Sequence, residues 1–429
     1  MKSRRQHRRH GHPIRVFIGL SEVAGYYSHL SLGMQAEGAR TELLTLRPHP
    51  FAYEGPQPSA LQVWVHKTIA LGDRSGPFRA PIEVVTRLAL LVYAIFAFDS
   101  FVFGFRNSFL IGWDLPLLRL FGKTVVSIFH GSDSRPPYLD PVTSRDLSDR
   151  MLTARTKTVW RTCRRFERWS NWIVSNPLSS HFFEQPVVAF QHIGAPTLVA
   201  APSAPPPPGP PKIVHAPSDR DAKGTEDIRA MIKDLREDGM EFEYVELTGR
   251  PNREVVSELK SASFVIDQMH SDTTLAGFAT EAASLGRAAV VAGSCIDELT
   301  AFLGPEHARV AVFATPATIE SVVRQLLADP EGARQVGVRA QEFVRREWTR
   351  ELVARRILTL ISGHPDPNWL FDPSDLRCAC GLMPPGRSAE LIRRVMSEDG
   401  RDALCLSHHP RLEQMIAAEC DPSTRAHRH

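Results

Sequence analysis

Ser263-Phe264-Val265-Ile266-Asp267, then Gly277-Phe278-Ala279-Thr280-Glu281, then Gly286 and Ala288-Ala289-Val290-Val291, form the run whose reading decides the fold. It reads as strand, acidic loop, helix, strand, with a glycine at the helix entrance and a carboxylate one turn in. The N-terminus of a helix presents unpaired N–H groups and the positive end of the dipole, which suits an anion. Gly277 lets such a ligand approach the backbone closely. Glu281 is then placed to bind something neutral beside the anion, such as a ribose diol.

The same alternation extends upstream. Residues 212–215 read as a strand, 225–236 as a helix, 242–247 as a strand, 253–259 as a helix and 263–266 as the strand quoted above. Helices follow over 316–327, 330–348 and 350–360. The first half behaves likewise, with strands at 15–20, 41–46, 61–66, 101–105, 123–129 and 172–175. Its helices fall at 25–38, 82–98, from Leu115, and at 150–169. Alternation of this kind predicts parallel sheets covered on both faces, with ligands at the carboxyl ends of the strands. The expected class is α/β, two doubly wound Rossmann-like domains facing across a cleft.

The expected divisions are a basic disordered tail over 1–12, a first domain over 13–200 and a proline-rich linker over 201–211. A second domain covers 212–347, and a helix at 348–362 packs back on the first domain. Residues 363–429 are expected to be loosely ordered, apart from a helix over 388–396. A proline run cannot donate a ladder of backbone bonds and is semi-rigid, which is why 201–211 reads as a linker.

At 429 residues the chain is too long for one ordinary core, and 43% hydrophobic with 23% charged residues is the composition of a folded soluble protein. The net charge of +3 selects no partner, and nucleic acid is not implied. The excess is local: Lys2, Arg4, Arg5, Arg8 and Arg9 crowd the first twelve residues. Such a run reads as a solvated tail, with attachment to anionic lipid as its functional alternative. The apolar stretch 88–105 approaches spanning length, but Asp99 divides it into a helix and a strand. Six scattered cysteines imply no disulfide framework and a reducing cytosol. The expected location is cytoplasmic, with peripheral contact at the inner face of a membrane through the basic tail and the helix 82–98.

Three loops carry candidate chemistry. Residues 21–27 and His130-Gly131-Ser132-Asp133-Ser134-Arg135 follow strands on one rim of the first sheet. His215-Ala216-Pro217-Ser218-Asp219-Arg220-Asp221-Ala222-Lys223-Gly224-Thr225 opens a helix in the second domain, and its Arg220 and Lys223 suit a diphosphate. Asp219-Arg220-Asp221 matches Asp-x-Asp formally, but its central arginine repels a divalent ion, so no metal is expected. Cys378, Cys380, Cys405, His408 and His409 are spaced too irregularly for a zinc signature. Leu117 stands where a P-loop ending at Gly122-Lys123-Thr124 needs its first glycine, and there is no Gly-x-Gly-x-x-Gly, Gly-x-Ser-x-Gly or His-Glu-x-x-His.

On these residues the chain resembles a GT-B glycosyltransferase of the large retaining group called family 4 or group 1. His215 to Thr225 is similar to that family's arginine-to-lysine-glycine segment. Gly277-Phe278, Glu281-Ala282 and Gly286 are similar to its glycine-aromatic-to-glutamate segment. Asp114-Leu115-Pro116 and His130 to Asp133 resemble a form seen in some subgroups. The likeness spans roughly residues 14 to 362 in element order.

The resemblance implies a metal-independent, cofactor-free hexosyltransferase-like enzyme that moves a sugar, with retention, from a nucleotide-diphosphate sugar to a hydroxyl acceptor, as in polysaccharide biosynthesis. Arg220, Lys223 and the loop at Gly25 would hold the donor diphosphate. Glu281 would hold the ribose, and the N–H groups of Gly277 and Phe278 would face the sugar and phosphates. His130 and Asp133 would occupy the catalytic positions. The family often carries a second glutamate eight positions before Glu281, where this chain has Thr273. Asp267 and Asp272 are the nearby carboxylates that would substitute. Without a substitute, the alternative is a non-catalytic GT-B module that binds a nucleotide sugar.

Overall fold

A computed structural model describes residues 13–418, apart from 52, 54, 200–208 and 380. The expected basic tail and most of the expected linker lie outside the described residues. Twelve strands are described: β1 (Arg15–Leu20), β2 (Arg40–Thr45), β3 (Ser100–Gly104), β4 (Thr124–Ile128), β5 (Trp172–Ser175), β6 (Val187–Ala189), β7 (Lys212–His215), β8 (Glu243–Glu246), β9 (Phe264–Gln268), β10 (Ala288–Ala292), β11 (Val312–Ala314) and β12 (Leu370–Phe371).

They form two sheets, ordered β12-β6-β5-β4-β3-β1-β2 and β11-β10-β9-β7-β8. All pairings are parallel except β12 with β6. In each sheet the chain first steps one way and then reverses past its first strand. The reversals fall between β1 and β3 and between β7 and β9, the points where doubly wound sheets leave a crevice. The strands are apolar on both sides because helices cover both faces. In the first sheet Phe17, Phe101 and Phe103 face one layer, and Val16, Ile18 and Val102 the other.

The second layer is completed from the far end of the chain. The helix Arg350–Ile361 packs on the helix Tyr26–Ala36, where a Cβ at Gly33 would come within 2.1 Å of the Arg350 carbonyl oxygen. The chain returns to the first domain through Trp348, which is fully buried and donates from Nε1 to the Gln191 carbonyl at 3.1 Å.

Three expectations are corrected. Residues 61–66 are not a strand: they belong to the helix Ala60–Arg74, capped by Ser59 Oγ accepting from the Gln62 N–H at 3.1 Å. The alternation of Leu61-Gln62-Val63-Trp64-Val65-His66 mimics a strand, but Gln62 turns inward to clasp the backbone of Thr45 on β2, at 2.7 and 2.9 Å.

Residues 363–418 are not a loose tail. β12 extends the first sheet, and Leu376, Ile392, Val395, Leu404, Leu406, Leu412 and Ile416 are buried in the core beside the helix Asp149–Trp169. Their apolar residues are spread over short helical pieces, so periodicity shows only in the helix Pro385–Asp399. Thirdly, Cys295 and Cys378 are disulfide-bonded, while Cys163 and Cys405 are free and buried. Sequence spacing cannot reveal cysteines placed together by the packing of this C-terminal segment.

Candidate active site

A cavity of about 620 Å³ opens between the carboxyl edges of the two sheets. That is within the range of small-molecule sites, roughly 300–1,000 Å³. The first domain supplies Val23, Ala24, Tyr26, His29, Tyr53, His130 and Phe190, and the second supplies Asn252, Arg253, Lys260, Thr273, Gly277 and Glu281.

The wall from the first domain is built by two loops. After β1, the Glu22 carboxylate accepts from the N–H groups of Val23, Tyr27 and Ser28 at 2.8, 3.1 and 2.9 Å, which fixes the entry to the helix Tyr26–Ala36. Gly25 sits at that entry with φ +76, a conformation that disfavours a side chain. Gly25 itself does not line the cavity, but its neighbours Ala24 and Tyr26 do.

After β4, the Asp133 carboxylate accepts from the His130 N–H at 2.8 Å and closes the loop over Gly131, whose φ is +110. Burial pushes the Asp133 carboxyl up to about 6. The His130 imidazole reaches the cavity, with Nε2 2.9 Å from the Tyr27 hydroxyl and edge contacts to Tyr26, Tyr27 and Phe190. Burial holds it down near 4, so it is neutral at physiological pH. The expected catalytic pair is therefore split. His130 lines the cleft, whereas Asp133 lies behind it, because its short side chain is spent on the loop backbone.

The wall from the second domain is the run that opened the sequence reading. The helix Gly277–Ser284 starts at the cavity with no side-chain cap, so its first N–H groups remain open to a ligand. A Cβ at Gly277 would lie 3.5 Å from the Cβ of Ala24 across the cleft, which leaves little room for a larger residue there. The Phe278 ring packs into the core of the second domain, so only its backbone belongs to this edge. Glu281 lines the cavity one turn in, accepting from Asn252 Nδ2 at 2.6 Å, and burial raises its carboxyl to about 7.

The two cations expected at the diphosphate stand elsewhere. Arg220 is 48% exposed and reaches Glu246 at 3.3 Å; Lys223 is buried against Asp267 at 2.8 Å. Neither lines the cavity. The loop between them is drawn toward the first domain by Arg145, which pairs with Asp219 and Asp221 at 2.9 and 3.0 Å. The exposed cations at the cavity are Arg253, in the first turn of the helix Asn252–Leu259, and Lys260, just past its end. Sequence reasoning missed both; Arg253 follows β8 on the carboxyl edge, where the edge rule applied to that strand would have found it, whereas Lys260 lies at the far end of the helix.

The two domains are joined beside the cavity by a buried cluster. Arg135 is fully buried, donating to Asp140 at 2.7 Å and, across the cleft, to Asp272 from Nε at 3.0 Å. Asn176 donates to the Asp272 carbonyl, and Gln191 donates from Nε2 to Thr273 Oγ1 at 3.1 Å. Both aspartates considered as substitutes for the absent glutamate are thus engaged by cations, Asp267 by Lys223 and Asp272 by Arg135. Among the described residues no group of three or more His, Cys, Asp or Glu is arranged to hold a metal ion.

No protein-family model matches the sequence, and no curated protein matches it. Among solved structures, it is similar to Anabaena Alr3699/HepE in complex with UDP and glucose, at 11% identity and TM-score 0.49, over 82% of this chain and 100% of that one. It is also similar to the glycosyltransferase SnogD from Streptomyces nogalater, at 13% identity and TM-score 0.42, over 82% and 100% of the two chains. The spinosyn rhamnosyltransferase SpnG aligns at 12% identity and TM-score 0.38, over 81% of this chain and 99% of that one. The two-sheet architecture stands on the strand order and register given above.

Proposed function

We propose that this chain is a glycosyltransferase that moves a sugar from a nucleoside-diphosphate sugar to a hydroxyl acceptor, with retention and without a metal. The observation that carries the reading is the shared cavity between two sheet edges. One wall offers an uncapped helix N-terminus beside a carboxylate, and the other offers a neutral histidine.

In this reading the diphosphate lies at the start of the helix Gly277–Ser284, with the ribose diol on the free oxygen of Glu281. Arg253 faces the developing charge. Lys223 joins it by exchanging Asp267 for a phosphate oxygen. Arg220 would turn from Glu246 in the same way. Metal independence is supported by the engagement of Asp219, Asp221 and Asp272 with arginine. His130 has no proton to give as a strong acid near pH 7, so it serves as a hydrogen-bonding wall for the transferred sugar. Departure of the diphosphate breaks its bond to the sugar's anomeric carbon, and the acceptor oxygen bonds to that carbon on the same face. The acceptor proton passes to a phosphate oxygen of the leaving group. Polysaccharide or lipid-linked glycan acceptors fit this role.

Incubation with a panel of nucleotide sugars and hydroxyl acceptors tests it. The expected result is nucleoside diphosphate released with a glycosylated product of unchanged anomeric configuration, surviving chelation. R253A and K223A should each weaken donor binding about tenfold, the loss of one charge-assisted contact. If no donor gives transfer or slow hydrolysis but nucleotides still bind, the chain is the non-catalytic binding module instead.

A further inference from the structure

The helix Arg79–Ala97 turns an apolar face to solvent. Its inner side, Leu90, Leu91, Ala94 and Ile95, is buried in the first domain's core. Its outer side is the stripe Val84, Val85, Leu88, Val92, Tyr93 and Phe96, all exposed, with Phe96 at 73%. No charge interrupts that stripe. Of the charged residues within the helix, Glu83 and Arg87 pair with each other at 2.9 Å, Arg47 reaches Glu83 at 3.1 Å, and Arg79 at the first turn pairs with Asp73 at 3.1 Å.

The face continues beyond this helix. The Phe96 ring lies 6.4 Å from that of Phe121, and Leu120 beside it is 81% exposed. On the other flank Leu71 and Phe78 are exposed as well. Soluble chains rarely leave so large a contiguous apolar surface without using it.

We propose that this face lies in the interface of an anionic lipid bilayer, held there electrostatically by the basic start of the chain. Charge points to that occupant. Arg15 pairs with Asp99 at 2.8 Å, so the segment carrying Lys2, Arg4, Arg5, Arg8 and Arg9 joins the structure beside the Phe96 end of the face. In the loop before the helix Leu115–Leu120, Trp113, 69% exposed, stacks against the Arg165 guanidinium at 3.8 Å. An apolar stripe accompanied by an exposed tryptophan and arginine, next to a polybasic segment, is the pattern of a surface that lies on anionic lipid. The segment Gly76–Ala97 is long and apolar enough to cross a membrane. Crossing would tear Leu90, Leu91, Ala94 and Ile95 out of the core, so the helix lies in the interface with its inner side still docked.

Flotation of the full-length protein tests this, using vesicles of phosphatidylcholine alone and vesicles that also contain phosphatidylglycerol. The protein should float with the anionic vesicles. V92E/F96E should lower its partitioning about tenfold or more, and deletion of residues 2–12 should do so on anionic vesicles only. Both substituted positions are exposed, so an unchanged melting temperature will show that the fold survives. Failure of the unmodified protein to float, or equal flotation of V92E/F96E, overturns the proposal. Equal flotation of the deleted form overturns its electrostatic half. A dimer in light scattering that V92E/F96E turns into a monomer, without any vesicle binding, would assign the face to a second copy.

Discussion

Replacing Glu281 separates ribose binding from the cost of burying its carboxyl. The group lines the cavity, is held by Asn252 at 2.6 Å and is raised by burial from an ordinary 4.5 to about 7. A diol donating to its free oxygen binds the ionised form. Hydrogen bonds to a charged group contribute about 1.5–3 kcal/mol each, so E281A should weaken nucleoside-diphosphate binding by roughly 100-fold at pH 8. The phosphates titrate in the same range, so the quantity to measure is the ratio of unmodified to E281A affinity. That ratio should rise about tenfold from pH 6 to pH 8, as ionisation at about 7 proceeds.

Stability should move the opposite way. Between 4.5 and 7 the folded protein keeps a proton that the unfolded chain has lost, so folding stability falls as pH rises through that window. E281Q removes the fall. Without ligand it should match the unmodified protein at pH 4 and exceed it by about 3 kcal/mol at pH 8, measured by urea unfolding. Calorimetric titration with uridine, guanosine and adenosine diphosphates at three pH values supplies the affinities. A ratio that stays flat with pH, or E281A binding as tightly as the unmodified protein, refutes the assignment of Glu281 to the ribose.

Two further outcomes follow from contacts near the cavity. R135M leaves Asp140 and Asp272 buried without their cation, and should cost about 3–5 kcal/mol in urea unfolding, while D272N, which keeps the Asp140 pair, costs less; a loss under about 1 kcal/mol for R135M would show that the cluster does not hold the domains together. G104A would place a Cβ 1.6 Å from the Tyr27 hydroxyl, and Tyr27 is fully buried against His130, so transfer should slow at least about tenfold with the nucleotide-diphosphate Kd unchanged; equal turnover would remove His130, which Tyr27 positions, from the sugar wall.

The parts of the fold legible in the sequence are those where local pattern and burial agree. β9, the helix Gly277–Ser284 and β10 alternate between short apolar runs and a helix with a glycine entrance, and the structure keeps that order. The helix Arg79–Ala97 and β3 separate where Asp99 breaks the apolar run, because that carboxylate must reach Arg15 at the surface. The error at 61–66 came from a period-2 pattern with a tertiary cause, the inward glutamine of a helix. The C-terminal segment was misread for a different reason: its composition is polar, but most of its buried apolar residues converge on one core, a property of three-dimensional placement.

The site divides along the same line. His130, Gly277 and Glu281 are set by their own loop or helix, and a rule about strand ends finds them. Arg220 and Lys223 have their side chains decided by distant partners, Glu246 and Asp267, and Asp133 is drawn off the cleft by the backbone of its own loop. Thr273 shows the consequence for chemistry. Where the resembling family places a carboxylate near the sugar, this chain has a hydroxyl that accepts from Gln191 of the opposite domain, and the adjacent Asp272 is held by Arg135. The carboxylates around that position are already neutralised by pairing. In the proposed reading, recognition of a sugar at this cleft therefore falls to neutral groups, Thr273, Asn176, Tyr26 and His130, while Glu281 remains the carboxylate at the cavity without a cationic partner among the described residues.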